Sequence, residues 1–229
     1  MLSNRLNSVV KHINPDSIVV DVGTDHALLP IYLISSNLTS RVIGIEIKEK
    51  TFLKAVKSVE KYGLGDRIQI LLGDGLEPVK HTKVDIVVIC GIGGKTIMNI
   101  LKRGMPFLKN VPKLILQPMN GVVDLRHFLL THGWTLVDEE LVMDAGRLYE
   151  ILVTEPGQSQ ELEDLLVEVG PILYQKKHPL LPMLIQGKIK RYAHIANSLE
   201  KSGNAAARER INYYLAKVSF LERMLVSCL

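Results

Sequence analysis

The sequence lacks the features that mark secreted, membrane-spanning or metal-bound chains. Of its 229 residues only two are cysteine. Cys90 ends an apolar run and Cys228 stands next to the C-terminal residue, which excludes a disulfide framework or a zinc knuckle and makes Cys90 a core residue. There is no apolar run of the roughly 18 residues that a membrane helix needs, and no charged start followed by an apolar stretch. The opening MLSNRLNSVVKHINPD reads as a short amphipathic helix. A cytoplasmic protein with no membrane association, no metal and no obligate protein partner is therefore expected.

Acidic residues are also missing locally. None lies between Glu168 and Glu200, whereas Lys176, Lys177, Lys188, Lys190 and Arg191 fall in that gap with His178 and His194. A solvated helix face normally carries both signs, so the gap is either a nucleic-acid contact surface or a chance excess. The net charge of +4 adds little, because many soluble enzymes share it. With 47% hydrophobic and 23% charged residues, the composition is that of a globular chain rather than a disordered one.

Five apolar runs are present: IVVDV from Ile18, VIGIE from Val42, IQILL from Ile68, DIVVIC from Asp85 and LILQ from Leu114. Each is continuous rather than alternating, which predicts strands buried on both faces of a parallel sheet. Helix-length segments separate them, such as Lys48 to Tyr62 and Val122 to Thr131. This alternation predicts a doubly wound α/β sheet. WTLVDEELVM and RLYEILVTE, joined by Asp144-Ala145-Gly146, then predict an antiparallel hairpin at the sheet edge. Beyond Pro156-Gly157 the pattern turns helical. Ile185, Ile189, Tyr192, Ala196 and Leu199 keep a three-four spacing, Ser202-Gly203-Asn204 breaks it, and Ile211, Leu215, Val218, Leu221 and Leu225 resume it. Two domains follow, 1–156 with the sheet and 157–229 as a helical, coiled-coil hairpin.

In an open α/β sheet, ligands bind beyond the carboxyl ends of the strands. Those ends carry Asp21-Val22-Gly23-Thr24-Asp25-His26, Glu46, Gly73-Asp74-Gly75, Gly91-Ile92-Gly93-Gly94 and Gln117-Pro118-Met119-Asn120. Glu46 is placed to accept both hydroxyls of a ribose, and Asp74 to reach an adenine amino group or the adjacent backbone. A pyrophosphate needs bare backbone N–H groups and close glycines, but Asp25 and His26 fill that space. Acids at Asp21 and Asp25 suit instead a ligand without phosphate and with a cationic centre, as in S-adenosylmethionine. Gly23, His26, Gly75, Gly91 and Gly93 complete the candidate donor-binding set. GIGGKT is a false Walker loop, because the earlier glycine that such a loop requires would fall on Ile89 within a strand.

Together, LSNRLNSVV, DVGTDHALLP, GDGLE, CGIGGKTI, LILQPMN and YEILV resemble the bacterial S-adenosylmethionine-dependent tRNA (adenine-22-N1) methyltransferases over nearly the whole chain. The resemblance implies a Rossmann-like class I methyltransferase sheet, S-adenosylmethionine as donor and the D-loop region of tRNA as substrate. The common acid-x-Gly-x-Gly-x-Gly loop keeps only Gly23 here, with Asp25 and Ala27 at the later glycine positions. QPMN also differs from a direct Gln-Pro-Asn. On this reading Asp25, Gln117 and Asn120 are candidate catalytic residues: the two amides pair with the adenine edge, and Asp25 either accepts an N6 proton or structures its loop. Lys188, Lys190 and Arg191 are the candidate tRNA grip, with Arg5, Lys95 and Arg147 at its rim. The alternatives are a small-molecule methyltransferase and a non-catalytic RNA-binding protein.

Overall fold

The computed structural model describes residues 2–158, 164–201 and 207–228. The chain divides into two compact units, Met1–Gln160 and Glu161–Leu229. In the first, α1 (Asn4–Val10) precedes β1 (Ile18–Val22), α2 (Leu28–Ser35), β2 (Arg41–Glu46), α3 (Glu49–Lys61) and β3 (Ile68–Leu72). A short 3-10 turn at Glu77–Val79 leads to β4 (Ile86–Ile92), α4 (Gly94–Leu108), β5 (Lys113–Pro118), α5 (Val122–Thr131), β6 (Trp134–Asp144) and β7 (Arg147–Pro156).

The strands form one sheet in the order β3-β2-β1-β4-β5-β7-β6. The first five are parallel, and β7 returns antiparallel between β5 and β6. The chain builds outward from β1 to β3, then starts again at β4 on the other side of β1. That reversal leaves a crevice at the carboxyl ends of β1 and β4. The register brings those ends level, pairing Val22 with Ile45, Glu46 with Leu72 and Cys90 with Gln117.

The β-branched runs form the centre of the sheet for a physical reason. Val19, Val20, Val87 and Val88 are fully buried, each worth about 1.5–3 kcal/mol relative to exposure, and their stiff side chains suit the pleat. One expectation fails at the edge. IQILL reads as buried on both faces, but β3 is an outer strand and Leu72 is 50% exposed. A continuous apolar run does not distinguish a central strand from an edge strand that helices cover only in part.

Opposite that edge, Arg126 of α5 lies fully buried between two acids of the closing hairpin. Its Nε donates to Glu139 Oε1 at 2.6 Å and its Nη2 to Glu150 Oε2 at 2.8 Å. This ion cluster ties α5 to β6 and β7. No residue spacing announced it.

The second unit contains α6 (Asp164–Val169), α7 (Pro171–Gln175), α8 (Leu181–Lys201) and α9 (Arg208–Cys228). The last two pack along one another, with the rings of Tyr192 and Tyr214 5.6 Å apart. The Ser202-Gly203-Asn204 break lies outside the described residues. At the heart of this unit Glu168 is buried. It accepts from Lys188 Nζ at 3.2 Å, Lys217 Nζ at 2.6 Å and the Tyr192 hydroxyl. Burial opposes its ionisation most strongly, yet the two lysines and the tyrosine together hold its pKa below the ordinary value.

Candidate active site

After β1 the backbone takes positive φ at Gly23, Asp25 and Ala27, with values of 77°, 51° and 55°. These are the positions where the common methyltransferase loop repeats glycine, so the loop keeps a glycine-like path with two other residues in it. Aspartate visits this region more readily than alanine, for which it costs roughly 1–2 kcal/mol. Ala27 is fully buried and begins α2, accepting from the Ile31 N–H at 2.9 Å. Packing and helix initiation therefore hold it in that conformation.

Glu46 secures the same loop. Its Oε1 accepts from the Asp25 backbone N–H at 2.5 Å and its Oε2 from the Thr51 hydroxyl at 2.8 Å. Each carboxylate oxygen retains further acceptor capacity, so Glu46 can brace the β1 loop and still receive hydroxyl groups. The side chains of Asp25 and His26 are 65% and 49% exposed and stand 3.8 Å apart.

Asp21, in contrast, is buried and accepts from the Thr24 hydroxyl at 2.7 Å. Burial pushes its pKa up to about 6, and the Glu46 carboxylate adds to the rise. Two carboxylates forced together in a dry crevice fit a ligand that brings ribose hydroxyls and a positive centre, as S-adenosylmethionine does. The same strain has a measurable cost. Because the folded-state pKa lies above the ordinary 3.8, the penalty is absent below about pH 4, grows up to about pH 6 and is complete above it. Asp21→Asn preserves an acceptor for Thr24 and is expected to raise stability at pH 8 by up to about 3 kcal/mol, with the gain vanishing near pH 4. Urea denaturation at both pH values measures this, and an equal effect at both contradicts it.

Beyond β3, Asp74 is engaged on the α4 side. Its carboxylate accepts from Arg103 Nη1 at 2.5 Å and Nη2 at 2.9 Å, and these bonds hold its pKa below the ordinary value. Gly75 follows with φ 59°. A cavity of about 340 Å³ lies here, lined by Asp74, Leu76, Ile100, Arg103 and Phe107 among others. The sequence reading missed Arg103 as Asp74's partner, because an exposed arginine on a helix carries no distinguishing spacing.

The other side of the crevice is built by β4 and β5. A register shift between Cys90 and Ile92 accompanies φ 78° at Gly91, turning the chain into Gly93 and Gly94. Gly94 permits close approach to the next loop: a Cβ there would stand 2.7 Å from the carbonyl oxygens of Asn120 and Gly121. Backbone bonds from Gly94 N to Asn120 O (3.0 Å) and from Met119 N to Ile92 O (2.9 Å) join the two loops. Asn120 is exposed, with its side-chain oxygen beside Gly93. Gln117 is fully buried.

Two expected surface contacts need correction. Arg5, expected at a tRNA-facing rim, is half-buried, and its Nη1 donates to Gln117 Oε1 at 2.5 Å. Lys188, expected to grip tRNA, is committed to the buried Glu168, with only 13% of its side chain exposed. Periodicity could not reveal either partner. Lys190 and Arg191 are exposed on α8, Lys95 is exposed in the first turn of α4, and Arg147 is exposed where β7 begins. Burial also pushes the Cys90 thiol pKa far above its ordinary value. Among the described residues, no group of three or more His, Cys, Asp or Glu side chains is placed to hold a metal ion.

The profile of the tRNA (adenine(22)-N(1))-methyltransferase family matches residues 19–220. The Bacillus subtilis tRNA (adenine(22)-N(1))-methyltransferase is 34% identical over 214 residues, covering 91% of this chain and 89% of that protein. The crystal structure of Streptococcus pneumoniae Sp1610 in complex with S-adenosyl-L-methionine is similar at 35% identity and a TM-score of 0.84, covering 98% of this chain and all of the other. M. capricolum TrmK in complex with S-adenosyl-homocysteine gives 29% identity and a TM-score of 0.86, with both chains covered completely. On this agreement of sequence and fold, the chain belongs to the tRNA (adenine(22)-N(1))-methyltransferase family.

Proposed function

We propose that this protein transfers the methyl group of S-adenosylmethionine to N1 of adenine 22 in tRNA. The observation that carries the reading is the row of carboxylates at three successive strand ends, Asp21, Glu46 and Asp74, in a chain of this family. Glu46 receives the ribose hydroxyls, Asp21 lies toward the positive centre, and Asp74 with Gly75 meets the adenine end. His26, Gly23, Gly91 and Gly93 line the approach.

The chemistry asks little of a general base. Adenine N1 holds a free lone pair at neutral pH, which forms the new N–C bond as the methyl C–S bond breaks and its electron pair passes to sulfur. The base gains the positive charge that sulfur loses, and no proton moves before attack. The protein supplies alignment in a water-poor crevice, worth roughly 7–11 kcal/mol of barrier. The target base is unstacked to reach it. Asn120 offers an acceptor for the N6 amino group, and Asp25 serves as a second acceptor or as a brace of the loop. Incubation with labelled donor and unmodified tRNA, followed by nucleoside analysis, is expected to yield 1-methyladenosine; absence of label in RNA despite donor binding rejects the reading.

For tRNA grip the exposed Lys190 and Arg191 remain, with Lys95 and Arg147 as further phosphate contacts. Replacing Lys190 and Arg191 by alanine is expected to weaken tRNA binding and to make log K against log salt shallower by about 1.5–2. Filter binding over a salt series measures it, and an unchanged slope removes this face from the interface. Lys188→Ala acts differently, destabilising the second unit by removing one of the two lysines that neutralise the buried Glu168.

A further inference from the structure

Arg5 reaches three parts of the crevice from a helix that precedes the sheet. α1 lies against β6, where Asn4 Nδ2 donates to the Met143 carbonyl at 3.3 Å. The Arg5 guanidinium sits 5.5 Å from the centre of the Tyr149 ring on β7, and Arg147 flanks the same ring at 6.0 Å. From there Arg5 donates to Gln117 at the end of β5 and comes so near Gly91 that a Cβ there would stand 3.0 Å from its Nη1. The antiparallel register pairs Leu116 with Leu152, so Tyr149 and Arg147 extend past the carboxyl end of β5. This is the side of the crevice away from Glu46 and Asp74, where the acceptor base must enter.

The convergence on Gln117 fixes its amide. Arg5 Nη1 and the Gly91 backbone N–H both donate to one terminal atom, at 2.5 and 3.2 Å, which must therefore be the oxygen. The other terminal atom stands 2.9 Å from the Pro118 carbonyl and must be the nitrogen. Both lone pairs of Oε1 and one proton of Nε2 are thereby used. Gln117 can offer a ligand only its second Nε2 proton. Without Arg5, one lone pair of the buried Oε1 loses its donor, and only the Gly91 N–H and the Pro118 carbonyl are left to hold the amide in this orientation.

We propose that Arg5 is a positioning residue for methyl transfer: it locks the Gln117 amide in one orientation and holds the β4 and β5 loops together on the acceptor side. Tyr149 keeps the guanidinium over its ring and directs it inward. The inference rests on the methyl-transfer reading and assigns Arg5 to alignment of the base, not to the phosphate backbone.

Arg5→Gln is expected to lower kcat at saturating donor and tRNA by about 100-fold, while donor and tRNA dissociation constants stay within about twofold. Gln117→Ala should lose a similar factor, and the double substitution should be no slower than the slower single one, because both break one link. A kcat near wild type with weaker, less salt-sensitive tRNA binding would make Arg5 a phosphate contact and overturn the proposal. Losses that multiply in the double variant would overturn it too. Arg5→Met keeps an apolar stem against Tyr149 without the donor and carries the same test if Arg5→Gln does not fold. Wild-type protein in the same assay separates the two ideas: if it makes no 1-methyladenosine, the methyl-transfer reading itself fails.

Discussion

Glu46→Ala is expected to weaken S-adenosylmethionine binding by at least about 100-fold, since each hydrogen bond to a charged group is worth about 1.5–3 kcal/mol and a ribose presents two hydroxyls. The carboxylate has a second task that increases the loss. Its Oε1 holds the Asp25 backbone N–H and its Oε2 holds Thr51, so removing it also frees the loop whose left-handed turns at Asp25 and Ala27 need support. Glu46→Gln separates these tasks. The amide oxygen can still receive two donors but not four, so an intermediate loss is expected. Isothermal titration of each variant measures both effects. Donor affinity within a few-fold of wild type for Glu46→Ala would take the ribose away from β2.

Arg126→Met is expected to destabilise the first unit by about 3–5 kcal/mol. Arg126 and Glu139 are both fully buried in side chain, and Glu150 is 13% exposed, so losing the arginine strands two acids without their cation. Replacing Arg126, Glu139 and Glu150 together by apolar residues of similar volume is expected to restore most of the loss. Chemical denaturation with donor binding as a second readout measures it, and a loss under about 1 kcal/mol for Arg126→Met would show that the cluster contributes little.

Much of the architecture is legible in the sequence because its signals are periodic. Val122 to Thr131 forms a helix with the expected bounds, and the two runs around Asp144-Ala145-Gly146 form the closing hairpin. The strand-end positions follow from topology, so Glu46, Asp74, Gly91 and Gln117 stand at the ends where the alternation puts them. What spacing does not carry is the partner of a charged side chain. Arg5 and Gln117 are 112 residues apart, and Lys188 and Glu168 are 20 apart across different helices. The acid-free stretch allows either a nucleic-acid contact surface or a chance excess of cations. Burial divides it, leaving Lys190 and Arg191 exposed while Lys188 neutralises an acid from just outside the gap. The β3 edge shows the same limit: apolar content records that a strand is covered, not how completely.

The most direct test of the account compares two tRNA transcripts, one with adenine at position 22 and one with guanine there, incubated with this protein and labelled S-adenosylmethionine. The account predicts 1-methyladenosine in the first, none in the second, and loss of the product with Glu46→Ala. Equal label in both transcripts, or label in neither while the donor still binds, would contradict it.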